Sequence, residues 1–274
     1  MKLVRVLLPI THNGILDACA ATGFGLAARF GAELEVLHPC PAPEERLPSS
    51  TELSPIYFEE LIDVGRKQAA LETRQARKWF SKIARAHPKA KAEFLSVEAL
   101  PAEAVTRRAK VSDLTIVPSI GAQADSFGSS IRDAALFHSG RPVLVIPKTA
   151  EGPIGETVVI AWKDSVEAVR AVAAAEPFLA KAERIELLSI TETGEDDSAA
   201  AMAEYLTKAG HRVVLAPLMA QSRDVGEVLL EASIGAGQLL VMGAYGRWRW
   251  REWVFGGATE HVLRHTDVPT LMVH

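Results

Sequence analysis

Short runs of consecutive apolar residues recur along the chain. Between them lie stretches whose apolar positions return every three or four residues. The first kind predicts buried strands and the second helices. In order, Val4–Leu8 reads as a strand, Ile15–Phe30 as a helix and Glu33–His38 and Ala92–Ser96 as strands. Ala102–Ala109 follows as a helix, Leu114–Val117 as a strand, Ser130–Phe137 as a helix and Val143–Ile146 as a strand. The order then repeats. Thr157–Ala161, Arg184–Ser189, Arg212–Leu215, Leu239–Met242 and Thr270–Val273 are strands. Val166–Ala180, Ser198–Ala209, Asp224–Ser233 and Thr259–His265 are the helices between them.

Each half therefore alternates strand and helix, ending on a strand. Near-continuous apolar strands joined through helices predict an α/β fold whose parallel sheets are covered on both faces. The break falls near Thr149–Glu156, where Glu151-Gly152-Pro153-Ile154-Gly155 reads as a linker. This gives a first domain at 1–150 and a second at 151–274. The first half also carries an excursion after its second strand, with Pro39, Pro41, Pro43, Pro48 and Pro55 close together. Proline fixes φ and withholds a donor, so an irregular segment is expected. A long helix, Phe58–Ala86, follows it, and Leu61, Val64, Leu71, Phe80 and Ile83 approximate one apolar face. The excursion reads either as a surface insertion that only packs or as cover for a cleft.

The stretch Leu239–Thr259 changes the picture from fold to chemistry. An apolar strand stops at Gly243, and Gly246, Gly256 and Gly257 follow before a helix near Thr259. A strand, a glycine loop and a helix N-terminus form an anion cradle, because bare backbone approaches a phosphate and the first helical N–H groups point at it. The spacing Gly243-x-x-Gly246, nine residues, Gly256 resembles the nucleotide-binding signature of the universal stress protein (UspA-like) family. Gly257 stands where that family has Ser or Thr, and Thr259 is the nearest hydroxyl. The resemblance covers the whole chain as two tandem copies. It implies two doubly wound, parallel five-stranded sheets of order 3-2-1-4-5, with the ligand crevice at the carboxyl ends of the strands. It implies ATP or another adenine nucleotide, with or without Mg²⁺, in the second half. The nucleotide-binding residues would be Trp162, Lys163, Asp164, Ile190, Met242, Gly243, Tyr245, Gly246, Gly256, Gly257, Ala258 and Thr259.

The family's acid after strand 1 is displaced here, with Lys163 in its place and Asp164 one residue late. Asp164 and Ser165 are both N-cap residues by type for the following helix, and Lys163 suits a phosphate as a point charge. Ile190 matches a position that packs on adenine. The first half's loop is eroded. Pro118 stands for Gly243, Gly121 for Gly246 and Gly128 for Gly256, with only six residues between the last two. Pro118 offers no N–H and cannot take positive φ, although Ser129 keeps the hydroxyl. The first half is expected to have lost nucleotide. In the family, the last strand builds a dimer contact. Here Val143–Ile146 and Thr270–Val273 are thus expected to meet about a pseudo-twofold axis, as two separate sheets.

Composition narrows the function. The chain has 274 residues, 48% hydrophobic and 23% charged, with a net charge of −4. No overall positive field draws it to nucleic acid or an anionic membrane. No apolar run approaches the roughly 18 residues of a membrane helix, and the start lacks a signal-peptide layout. Cys19 and Cys40 fit no metal spacing, and a reducing cytoplasm is expected. His261 and His265 share a helix face without further zinc ligands in the sequence. The loop Arg247–Trp253 holds three of five tryptophans and suits a phosphate lid or an interface, including that of a homodimer. No catalytic triad or Walker motif occurs. The sequence therefore favours a nucleotide-responsive binding module in stress response, acting on an unknown protein partner. A slow ATP hydrolase, or a structural or partner-binding protein that has lost nucleotide or takes another small ligand, stands as the alternative.

Overall fold

The structure is a computed structural model of the 274-residue chain. It describes residues 2–10, 17–46, 55–119, 126–191, 196–219, 224–233, 235, 237–244 and 257–274. The first half contains β1 (Arg5–Pro9), α1 (Asp17–Phe30), β2 (Glu33–Pro39), a 3-10 turn (Pro43–Arg46), α2 (Pro55–Ala86) and β3 (Lys91–Val97). It continues with α3 (Pro101–Ala109), β4 (Leu114–Pro118), α4 (Ser126–His138) and β5 (Val143–Ile146). The second half contains β6 (Thr157–Trp162), α5 (Val166–Leu179), β7 (Arg184–Thr191), α6 (Asp197–Lys208) and β8 (Val213–Met219). It ends with α7 (Val225–Ala232), β9 (Gln238–Gly243), α8 (Gly257–His265) and β10 (Thr270–Val273).

The strand order is β3-β2-β1-β4-β5-β10-β9-β6-β7-β8. Each half is thus a parallel five-stranded array of order 3-2-1-4-5, as the resemblance implied. The expectation of two separate sheets is corrected. β5 and β10 pair antiparallel, with Leu144 opposite Leu271, and fuse the arrays into one ten-stranded sheet. The physical reason is edge protection. Both strands are buried and apolar, and a bare edge would leave a row of unpaired N–H and C=O groups.

Two apolar layers sandwich the sheet, because alternate residues of every strand point to opposite faces. Phe24 of α1, Phe178 of α5, Ala199 and Leu206 of α6, and Ile116, Ile160 and Val241 of the strands lie in one layer. Val105 of α3, Ile131 of α4, Leu229 of α7, Val262 of α8, and Val117, Val159, Leu188 and Met242 lie in the other. The halves also meet through helix ends. Phe30 stands edge-on to Phe178 at 5.3 Å, and the Lys181 ammonium donates to the Arg29 carbonyl at 2.8 Å. The expected linker is packed as well, with Ile154 buried in the α1/α5 layer.

Helix α2 departs from its expected burial. Phe80 and Ile83 pack on the core, but Leu61, Val64 and Leu71 are exposed. Ile62, Glu72 and Ala76 turn inward instead. The 3-10 turn sets this rotation. A Cβ at Gly65 would sit 2.9 Å from Pro43 Cβ, and Arg46 donates to Glu72 at 2.9 Å. Pro48 lies outside the described residues.

Candidate functional site

The register builds the crevice floor. β6 lies beside β9 with Ala161 opposite Met242, and beside β7 with Trp162 opposite Ser189. The carboxyl ends of β6, β7 and β9 therefore share one end of the sheet, at the position where strand order reverses. Met242 and Ile190 pack in the layer below α7 and α8, and these two predicted residues share a face. Trp162 does not join them. It is buried in the opposite layer, and its indole N–H donates to Ser198 Oγ at 3.0 Å. Burial with its only polar atom satisfied makes Trp162 a core residue.

Lys163 and Asp164 leave β6 exposed. The cap on α5 is made by Ser165, whose hydroxyl accepts from the Ala168 N–H at 3.2 Å. The sequence left Asp164 and Ser165 open for that role, and the structure gives it to Ser165. Asp164 is thereby left at the crevice mouth.

The glycines divide in the same way. Gly243 ends β9 opposite Val273, outside the left-handed region of φ. A Cβ there would meet Ala168 N at 2.7 Å and Glu167 C at 2.7 Å. Glycine is needed because the first turn of α5 crosses the strand end, a packing reason that the anion-cradle reading missed. Gly257 opens α8 and is exposed, Ala258 is half-buried and Thr259 is buried. Tyr245, Gly246, Gly256 and the Arg247–Trp253 loop lie outside the described residues, as does Gly121 of the first half.

A group missed in the sequence stands at this helix start. Asp224 caps α7 by accepting at Oδ1 from the Glu227 N–H at 3.1 Å, and the same oxygen lies 3.3 Å from His261 Nδ1 of α8. A methyl group on Gly257 would lie 3.8 Å from its Oδ2. The carboxylate is thus beside the positive end of α8, where a phosphate would also be favoured. Gly226 makes this proximity possible, since a Cβ there would meet His261 Cβ at 2.7 Å. The only sequence signal was an N-cap type of residue before an apolar run. His261 and His265 share a face, with ring centroids 4.6 Å apart. Among the described residues no group of three or more His, Cys, Asp or Glu side chains is placed to hold a metal.

Beyond the crevice, a polar chain ties β7 to α6. Asp196 accepts from the Ser198 hydroxyl at 2.6 Å, from the Ala199 N–H at 3.1 Å and from the Ser189 hydroxyl. The Ser189 and Ser198 hydroxyls hold its carboxyl below the usual aspartate range. Burial pushes the Cys19 thiol far up, so it is an inert core group. Among the described residues no helix is long and apolar enough to cross a membrane.

No protein-family model matches the chain, and no curated protein matches it in sequence. Solved structures do. A universal stress protein from Archaeoglobus fulgidus DSM 4304 superposes with TM-score 0.71 at 16% identity, over 99% of this chain and 96% of its own. A putative universal stress protein from Pseudomonas aeruginosa UCBPP-PA14 gives 0.55 at 13% identity, over 99% and 93%. A functionally unknown protein from Pseudomonas aeruginosa PAO1 gives 0.57 at 13% identity, over 99% and 92%. Its strand order, its paired last strands and these superpositions give the chain the fold of the universal stress proteins, with two copies of the five-stranded unit in one polypeptide.

Proposed function

We propose that the chain is a tandem universal stress protein of the cytoplasm, a binding module that responds to an adenine nucleotide held by its second half. One observation carries the reading. At the switch point of the second half, Lys163 and Asp164 stand exposed beside the strand end that leads to α8, with capping delegated to Ser165. An ammonium and a carboxylate suit a phosphate and a sugar hydroxyl respectively. Ile190 and Met242 supply an apolar face for a base. The glycines from Gly243 to Gly257, with Thr259, would lie along the phosphates, and Mg²⁺ would accompany them as a counter-ion. The first half would bind none, because Pro118 lacks an N–H.

Calorimetric titration with ATP and Mg²⁺ tests this. Wild type is expected to bind, and Gly246→Val to bind at least tenfold more weakly, since a β-branched residue resists the close approach. Asp224→Asn is expected to tighten binding a few-fold by removing a like charge beside the phosphates. No heat from wild type at millimolar nucleotide would move the reading to a partner-binding protein without nucleotide. Steady phosphate release from bound ATP would move it to a slow hydrolase.

A further inference from the structure

We propose that the first half of α2 is a self-association seam, along which two copies of this chain pair antiparallel. The proposal goes beyond nucleotide binding and does not depend on it. Tyr57, Leu61, Val64, Gln68 and Leu71 follow one another at spacings of four, three, four and three, the period of a coiled-coil seam. The apolar members are open to solvent: Tyr57 is 65% exposed, Leu61 41%, Val64 62% and Leu71 45%. Phe58, beside the seam, is also exposed. The inward side of the same turns is already occupied by Ile62, Glu72 and Ala76. The helix is held there by Pro43 against Gly65 and by Arg46 on Glu72, so the seam is rigid before any partner arrives.

Charge identifies the occupant. Glu60 flanks the start of the seam, and Lys67 and Arg74, on the same side of the helix, flank its end. A parallel copy would set acid on acid and base on base. An antiparallel copy sets the acidic turn of each helix against the basic turns of the other. Gln68 is the one polar member of the seam, and its amide donates to Glu72 at 3.0 Å. A single polar seam residue fixes register at some cost in strength. One helix pair of this length is a small interface, so a micromolar dimer is expected.

Light scattering on the full chain between about 5 and 200 µM tests the association. Wild type is expected to rise to twice the mass of one chain. Leu61→Glu/Val64→Glu should keep the mass of one chain with an unchanged melting temperature, because both side chains are exposed. Orientation is read by cysteine cross-linking in a Cys40→Ser background. Val64→Cys is expected to link efficiently. Tyr57→Cys should not, since antiparallel pairing separates the two copies by more than ten residues of helix, roughly 16 Å or more. A one-chain mass for wild type throughout would overturn the proposal and leave the seam to residues 47–54 or to a different protein. A double mass that survives Leu61→Glu/Val64→Glu would also overturn it. Linking at Tyr57 equal to that at Val64 would reject the antiparallel orientation.

Discussion

The two halves have the same architecture and differ at equivalent positions, and those positions show where sequence constraint comes from. Pro118 pairs with Ile146 in β5, as Gly243 pairs with Val273 in β10. The next N–H donates to the neighbouring strand in both, Ser119 to the Ile146 carbonyl at 2.9 Å and Ala244 to the Val273 carbonyl at 2.8 Å. A proline and a glycine thus occupy one structural site. Glycine is required only in the second half, where α5 crosses the strand end at van der Waals limit. A glycine that reads as ligand chemistry is therefore first a packing requirement. The sharpest way to break this comparison is to fill the site. Gly243→Ala is expected to cost about 3 kcal/mol, because backbone of α5 must move. Pro118→Ala should cost about 1 kcal/mol, mainly through a freer unfolded chain. Thermal unfolding of both variants without nucleotide checks this, and equal losses would remove the packing explanation of Gly243.

The second comparison concerns a glutamate. Leu7 lies opposite Glu35 across β1 and β2, as Val159 lies opposite Glu186 across β6 and β7. Glu35 is fully buried and takes two hydrogen bonds from the Arg108 guanidinium of α3, one of them at 2.6 Å. The pair holds Arg108 above the ordinary arginine range. Glu186 remains partly exposed and meets Arg184 of its own strand at 2.8 Å. Removing Arg108 leaves the buried Glu35 carboxylate to the more distant Arg5, 4.0 Å away, whereas an exposed pair is screened. Arg108→Met is expected to destabilise by about 3 kcal/mol. Glu186→Gln should change stability by less than about 0.5 kcal/mol. Denaturant midpoints measure both, and a loss for Glu186→Gln as large as that for Arg108→Met would erase the distinction.

Much of the fold was legible because burial on two faces writes an unbroken apolar run. Val143–Ile146 and Thr270–Val273 match their predicted bounds for that reason. The fusion of the sheets was not legible, since an edge that meets its twin by hydrogen bonds and one that meets it by side chains carry the same residues. The apolar face of α2 failed for a related reason. Periodicity shows that Leu61, Val64 and Leu71 share a side, but only Pro43 and Arg46 decide that this side faces out. Within the candidate site, the strand ends and the start of α8 were readable from glycine and cap residues. Two assignments needed coordinates. Trp162 points into the layer away from Ile190, and Asp224, thirty-three residues before Gly257 in sequence, comes to lie beside it.

The smallest expected effect lies at the next pair of equivalent positions, His38 in β2 and Ser189 in β7, three residues beyond the two glutamates. His38 is buried, stacks on Phe94 at 6.1 Å and lies 3.4 Å from Ser96 Oγ. Ser189 instead donates to Asp196, the N-cap of α6. The second half has thereby exchanged an aromatic contact for a charged cap, whose contribution to stability depends on acid. The Asp196 carboxyl lies below its ordinary value of 3.8 because the Ser189 and Ser198 hydroxyls and the Ala199 and Ser198 N–H groups stabilise the charged form. A depressed carboxyl contributes stability that is present above the unfolded value and lost as pH falls through the folded one. Asp196→Asn preserves shape and a capping oxygen but removes the charge. It is expected to lower stability by about 0.5 kcal/mol at neutral pH, a value kept small by solvent screening. The gap between wild type and Asp196→Asn should stay constant from pH 8 to about pH 5 and close progressively below about pH 4. Thermal melts across that range measure it. A gap that persists unchanged at pH 2, or one that widens on acidification, would show that the cap acts through shape alone.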